Sequence, residues 1–288
     1  MTLIDEGNMR EIDNTVRQFV RDIDELYKND IRDYKGRIIN SEHVRNYLFT
    51  SWYRIREIVE LVCRLSPSKR ILDIGIGYGF YDIVLKENFR LDVTGMEVEE
   101  NIPVYCLLPQ SHGISIIPGR LCKTPCSIPD NTFDVVILSE VIEHLRISPL
   151  RALLEINRIL KPNGLLLLTT PNIANLSNVL KLLVGSNVVE MFPDDDSELT
   201  HITDSMTHIR EYTMKELKTL MNRAGYKIIK SKYSLSNNKM PPHKNVNWKQ
   251  KTKRATLISV LAIFPPLRSL LVVLGQKLYH PDNLHFGD

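Results

Sequence analysis

The sequence predicts an α/β fold, a mostly parallel sheet with helices on both faces. Three observations predict it. Short apolar runs near residues 70–74, 91–96, 114–117, 133–138 and 165–170 alternate with stretches whose apolar residues recur at helical spacing. The first run ends in Asp73 and is followed by Gly75, Gly77 and Gly79, the pattern of a buried strand turning sharply into a helix. Leu160-Lys161-Pro162-Asn163-Gly164-Leu165 stops one helix and starts the next strand.

Composition bounds the answer without naming a function. The 288 residues can hold one large domain, or one domain with additions. With 43% hydrophobic and 25% charged residues the chain is globular, and a net charge of +3 selects no partner class. Cys63, Cys106, Cys122 and Cys126 make no metal pattern with the histidines and read as reduced cytoplasmic thiols. Met1 to Glu6 lacks the basic region and apolar run of a signal peptide.

The first 66 residues read as a helical cap. Ile12, Val16, Phe19, Val20, Ile23 and Leu26 share one helical face. A polar break over 28–40 precedes a second helix over 41–65, striped by Val44, Leu48, Trp52, Ile55, Val59 and Val62. The pair is expected to cover a sheet edge and roof the ligand site. Tyr47, Trp52 and Tyr53 read as packing residues.

The core is expected over 67–235. The loop Asp73-x-Gly75-x-Gly77-x-Gly79 is not a dinucleotide loop, because G-x-G-x-x-G from Gly75 would need glycine where Phe80 stands. It has no Gly-Lys-Ser/Thr for a phosphate. It resembles motif I of the class I S-adenosylmethionine-dependent methyltransferases. The stretch from Ile128 to Leu145, with Ser139-Glu140-Val141-Ile142-Glu143-His144 after its strand, resembles motif IV of the type-11 small-molecule branch. These resemblances imply a Rossmann-like seven-stranded sheet and S-adenosylmethionine as cofactor. They assign Asp73, Gly75, Gly77 and Gly79 to the methionine end and Glu97, at the second strand's tip, to the ribose hydroxyls. Ser139 and Glu140 are expected to line the cofactor. Many members carry an acid where Arg120 stands, so the adenine contact falls to the backbone near Leu121. His144 is the expected base for a hydroxyl acceptor, with Glu140, His201, His208 and Tyr212 as weaker candidates.

Thr169-Thr170-Pro171-Asn172 closes the fifth core strand on the expected substrate side. Residues 173–212 break the alternating pattern and carry Asp194, Asp195, Asp196, His201 and His208, as a substrate lid would. No metal is expected, because transfer from a sulfonium needs none. Thr213 and Glu216 form a capping box that opens a helix, and 226–235 reads as a strand.

Residues 236–288 read as a basic, apolar insertion in the final hairpin. There is no Asp or Glu from Tyr226 to Pro281, and lysines and arginines cluster before Ala255. The apolar run 255–274 contains Pro265, Pro266 and Arg268, which argue against a membrane span. Two short apolar helices bent at the prolines are expected, with 244–274 lying on an anionic membrane surface; the alternative is that the pair packs on the sheet edge or forms a homodimer contact. The last strand is expected at 283–286. The expected activity is O-methylation of a sugar hydroxyl on a membrane-linked glycan or glycolipid, in the cytoplasm or peripherally on the membrane. A prenylated quinone or other lipid acceptor is the runner-up, a non-catalytic cofactor-binding scaffold is the rival class, and no nucleic acid is expected.

Overall fold

The computed structural model describes residues 6–33, 36–65, 69–121, 126–188, 208–236 and 248–279. It divides into two compact units, one ending at Arg120 and one beginning at Leu121.

The first unit opens with α1 (Glu6–Leu26), which buries Ile12, Val16, Phe19 and Ile23 on one face. The polar break contains a two-stranded antiparallel ribbon, β1 (Ile31–Arg32) and β2 (Ile38–Ile39). Asn40 then caps α2 (Ser41–Cys63) by accepting from the His43 N–H at 3.1 Å. Next come β3 (Arg70–Ile74), α3 (Phe80–Phe89), β4 (Asp92–Glu97), two short helices α4 (Ile102–Tyr105) and α5 (Leu107–Ser111), and β5 (Ser115–Pro118). β3 pairs parallel with β4, and β4 with β5. Tyr47 packs on Tyr78 at 5.3 Å between ring centroids, and Trp52 is buried, so both are packing residues.

The second unit contains β6 (Phe133–Ser139), α6 (Pro149–Ile159), β7 (Leu160–Pro171), α7 (Leu176–Leu183), α8 (Met214–Arg223), β8 (Tyr226–Ser234), α9 (Trp248–Ile263) and β9 (Leu270–Lys277). β6 and β7 are parallel, whereas β9 runs antiparallel to both β7 and β8. Thr213 and Glu216 form the expected capping box at the start of α8. The strand order of the seven-stranded, mostly parallel sheet is β5-β4-β3-β6-β7-β9-β8. It is a Rossmann-like fold.

The C-terminal region corrects the sequence reading. Its apolar run is not two helices bent at the prolines. One helix, α9, ends at Ile263, a single 3-10 turn follows at Pro265–Leu267, and the rest is β9. Leu270, Leu271, Val272, Val273 and Leu274 are all buried, so this half of the run is sheet interior. The final hairpin exists with a helical insertion, but its second strand is β9; residues 283–286 lie outside the described residues. Arg268 is not a charge stranded in an apolar span. Its guanidinium donates to the carbonyls of Leu261 (2.9 Å) and Ala262 (3.4 Å) at the open end of α9, and to that of Tyr233 (3.0 Å) on β8. Among the described residues, no helix is long and apolar enough to cross a membrane.

Candidate active site

In the first unit the glycine loop is built by the turn between β3 and α3. Gly75, Gly77 and Gly79 have φ of 78°, 51° and 61°, where a side chain is strained. The Gly75 and Ile76 N–H groups donate to the Met96 carbonyl, at 2.8 and 3.3 Å, and so tie the loop to β4. The glycines differ in what surrounds them. A Cβ on Gly79 would lie 2.7 Å from Pro109 Cβ, so packing alone demands glycine there. A Cβ on Gly77 would meet only the Gly75 carbonyl, at 4.0 Å. The space beside Gly77 is open, as a ligand lying on bare backbone requires.

Glu97 closes the other side of this loop. Its Oε2 accepts from the Gly77 N–H at 3.0 Å, and its Oε1 from the Val98 N–H at 2.9 Å and Asn101 Nδ2 at 3.1 Å. Those donors fix the carboxylate at the tip of β4 and leave one lone pair, on Oε2, that can take a further donor such as a ribose hydroxyl. Arg120 does not replace the missing adenine acid; it forms an ion pair with Glu100 at 2.7 Å. Leu121 is buried.

Asp73 is fully buried, and its Oδ2 accepts from the Tyr81 hydroxyl at 2.7 Å. A second buried carboxyl, Asp82 on α3, stands beside it. Among the described residues, no donor reaches Asp73 Oδ1 or either Asp82 oxygen. Burial is the first cause that pushes the Asp73 carboxyl up, to about 7, and burial together with repulsion from Asp73 raises Asp82 well above the carboxylate range. Burial and mutual repulsion thus disfavour both carboxyls being ionised at once, and an ammonium near Asp73 would find an acceptor. Sequence reasoning missed Asp82, whose signal was a charge at a buried helical position between Phe80 and Ile83.

In the second unit the expected residues gather around the tips of β6 and β7. Ser139 Oγ lies 2.9 Å from Thr169 Oγ1, and the Thr169 hydroxyl lies 3.2 Å from Glu140 Oε1. Glu140 has φ of 57°, marking the sharp turn after β6. The next residue of β7, Thr170, donates its hydroxyl to Glu143 Oε2 at 2.9 Å. Neighbouring strand residues point to opposite faces, so Glu140 and Glu143 are held on different sides of β7.

Glu143 is 1% exposed, and its carbonyl accepts from the N–H groups of Ile209 (2.8 Å) and Arg210 (3.2 Å). This pins residues 208–210 beside the turn that carries His144. The His144 and His208 rings meet edge to face, 5.0 Å between centroids. One ligand atom each from Glu143, His144 and His208 lies within 4.8 Å of the others. His208 Nδ1 is 3.0 Å from Glu211 Oε1, and Asn178 donates to Glu211 Oε2 at 3.0 Å. The structure therefore brings His208 to His144, while Tyr212 is buried and His201 and Asp194–Asp196 lie outside the described residues. Glu143 and Thr170 both stand in stretches that the sequence placed at the site, but the hydrogen bond between them was not legible there.

A family model described as a methyltransferase domain matches residues 45–231. The chain is 33% identical over 132 residues to a ubiquinone biosynthesis O-methyltransferase of Roseobacter denitrificans, covering 45% of this chain and 52% of that protein. It is 31% identical over 122 residues to phosphoethanolamine N-methyltransferase 3 of Arabidopsis thaliana, covering 40% of this chain and 23% of that one. The chain thus spans about half the length of one relative and about a quarter of the other. Among solved structures, Haemonchus contortus phosphoethanolamine N-methyltransferase 2, in complex with phosphomonomethylethanolamine and S-adenosylhomocysteine, superimposes with a TM-score of 0.54. That match has 14% identity over 83% of this chain and 57% of that one, and shares the fold. With its glycine loop, its strand-tip acid and a family match over most of its length, the chain belongs to the class I S-adenosylmethionine-dependent methyltransferases.

Proposed function

We propose that the chain transfers a methyl group from S-adenosylmethionine to a hydroxyl oxygen of a small, membrane-linked acceptor. The observation that carries the reading is the pairing of open backbone at Gly77 with Glu97 fixed at the tip of β4. When bound, the cofactor supplies an electrophilic methyl group on a sulfonium. Asp73 and the glycine backbone hold its amino-acid end and Glu97 its ribose. The acceptor hydroxyl needs help with its proton, and the group containing His144 is suited to it.

A membrane-linked acceptor is supported by exposed apolar surface in the second unit. Leu180 and Leu183 of α7 are 55% and 77% exposed, and Ile263 and Phe264 at the end of α9 are 72% and 56% exposed. Asn172 links the two regions by donating to the Pro266 and Arg268 carbonyls, at 2.8 and 2.7 Å. The absence of acids from Tyr226 to Pro281 suits an anionic headgroup layer. A sugar of a glycan or glycolipid is the first acceptor. A prenylated quinone is the second, favoured by the likeness to the Roseobacter protein.

The test incubates the protein with methyl-labelled S-adenosylmethionine and membranes of its source, with Glu97→Ala as control. Label in the lipid extract, absent with the variant, is expected, and mild acid release of labelled sugar separates glycan from quinone. Label confined to a soluble compound overturns the membrane acceptor and leaves the apolar surface to a homodimer. Cofactor binding with no transfer to any acceptor overturns the catalytic reading.

A further inference from the structure

We propose that Glu143, His144 and His208 bind a first-row divalent cation, with Zn²⁺ the best match. This goes beyond the methyl-transfer reading, because cation binding is measurable without turnover. It also departs from the sequence expectation that no metal is involved.

The three donors come from two distant stretches of chain, joined by the two hydrogen bonds from Ile209 and Arg210 to the Glu143 carbonyl. Their ligand atoms lie within 4.8 Å of one another. Donors on a tetrahedral ion with bonds near 2.1 Å sit about 3.4 Å apart, so closure asks at most about 1.4 Å of side-chain rotation. Glu143 is buried, while His144 and His208 are only partly covered, so the histidine side of the cluster is accessible to an incoming group.

The surroundings are those of a built site. Thr170 holds one Glu143 oxygen. Glu211 holds His208 Nδ1 and is itself held by the buried Asn178, which would assign Nε2 to the cation. A carboxylate on the far nitrogen of a histidine fixes ring and tautomer, as the outer shell of a metal site does. Two imidazoles and one carboxylate suit Zn²⁺, Fe²⁺ or Co²⁺, whereas Mg²⁺ and Ca²⁺ prefer oxygen alone. Bound there, the cation would take an acceptor oxygen as a further ligand and lower its pKa, the hydroxyl proton passing to solvent. His144 would then serve as a ligand, its lone pair no longer available to a proton.

The experiment strips the full-length protein with a chelator and titrates it with Co²⁺, read by visible absorption and equilibrium dialysis. One equivalent bound in a saturable way and displaced by Zn²⁺ is expected. His208→Ala and His144→Ala should each weaken binding at least about 100-fold, and Glu211→Gln about 10-fold. S-adenosylmethionine affinity, measured on the same samples, should stay within about twofold of the parent and so shows that each variant is folded. Failure of cofactor binding in the parent would strike the methyltransferase reading alone. Absence of saturable Co²⁺ binding, or unchanged binding in His208→Ala, overturns the metal site.

Discussion

Gly77 donates its backbone N–H to Glu97 Oε2 across twenty residues of sequence, joining the glycine loop to the tip of the neighbouring strand. The carboxylate is thus fixed before any cofactor arrives. Glu97→Ala should weaken S-adenosylmethionine binding about 10- to 100-fold, the loss expected for hydrogen bonds to a charged group. Titration calorimetry reads this directly. Glu97→Gln should fall between the two, because its amide keeps an acceptor but loses the charge. An unchanged affinity in Glu97→Ala would remove the ribose assignment.

Two glycines with the same sign of φ should fail differently. Gly79→Ala drives a methyl group against the Pro109 ring, so its main effect should be on folding, about 1–3 kcal/mol by urea unfolding. Gly77→Ala meets open space, so it should cost only the backbone strain, about 1 kcal/mol, while cofactor affinity falls by a larger factor. Equal loss of stability in both variants would show that the space beside Gly77 is not a ligand seat.

The Asp73–Asp82 pair gives the cofactor-free protein a specific pH response. Both carboxyls have folded pKa values raised above their unfolded ones, Asp73 to about 7. The folded state therefore holds protons that the unfolded chain releases. The stabilisation is fully present below the unfolded pKa, near 4, and is lost as pH rises through about 7. Asp82→Asn removes one of the two charges, so relative to the parent it should gain about 1 kcal/mol or more on moving from pH 5 to pH 8. Urea unfolding of the two proteins at both pH values measures that difference, and parallel curves would refute the repulsion between the two carboxyls.

Arg268 closes the end of α9 with hydrogen bonds to the Leu261 and Ala262 carbonyls and ties it to β8 through the Tyr233 carbonyl. Arg268→Ala should leave those carbonyls to water, cost about 1–3 kcal/mol and speed amide exchange over the last turn of α9 before any other helix. Uniform acceleration throughout the second unit would point instead to global destabilisation.

Much of this was legible in the sequence because the governing rules are local. Asp73 and the three glycines mark the turn at β3 within a few residues, and Thr213 with Glu216 marks the start of α8. β9 was misread because a fully buried strand has no alternation. Leu270–Leu274 looks equally like a strand or a helix until its partners are known. Arg268 was read rightly as an argument against a membrane span, but its partners, Leu261 and Tyr233, are settled only when the chain folds back. The Glu143–His144 pair was visible in its motif, but its meeting with His208 depends on two backbone hydrogen bonds between stretches more than sixty residues apart. The Asp82 carboxyl was hidden because nothing in its neighbours' spacing says that a helix will bury it against Asp73.

The place of β9 also governs how the protein is made. β7 and β8 have no pairing with each other; each pairs with β9, which is translated after both and after α9. During synthesis the nascent chain must therefore hold a long apolar strand, β7, with one edge bare until Lys277 has left the ribosome. That interval is a window for chaperone capture and edge-to-edge aggregation. A stop codon before Leu270 would make the bare edge permanent, turning a modest truncation into an insoluble product rather than a smaller enzyme.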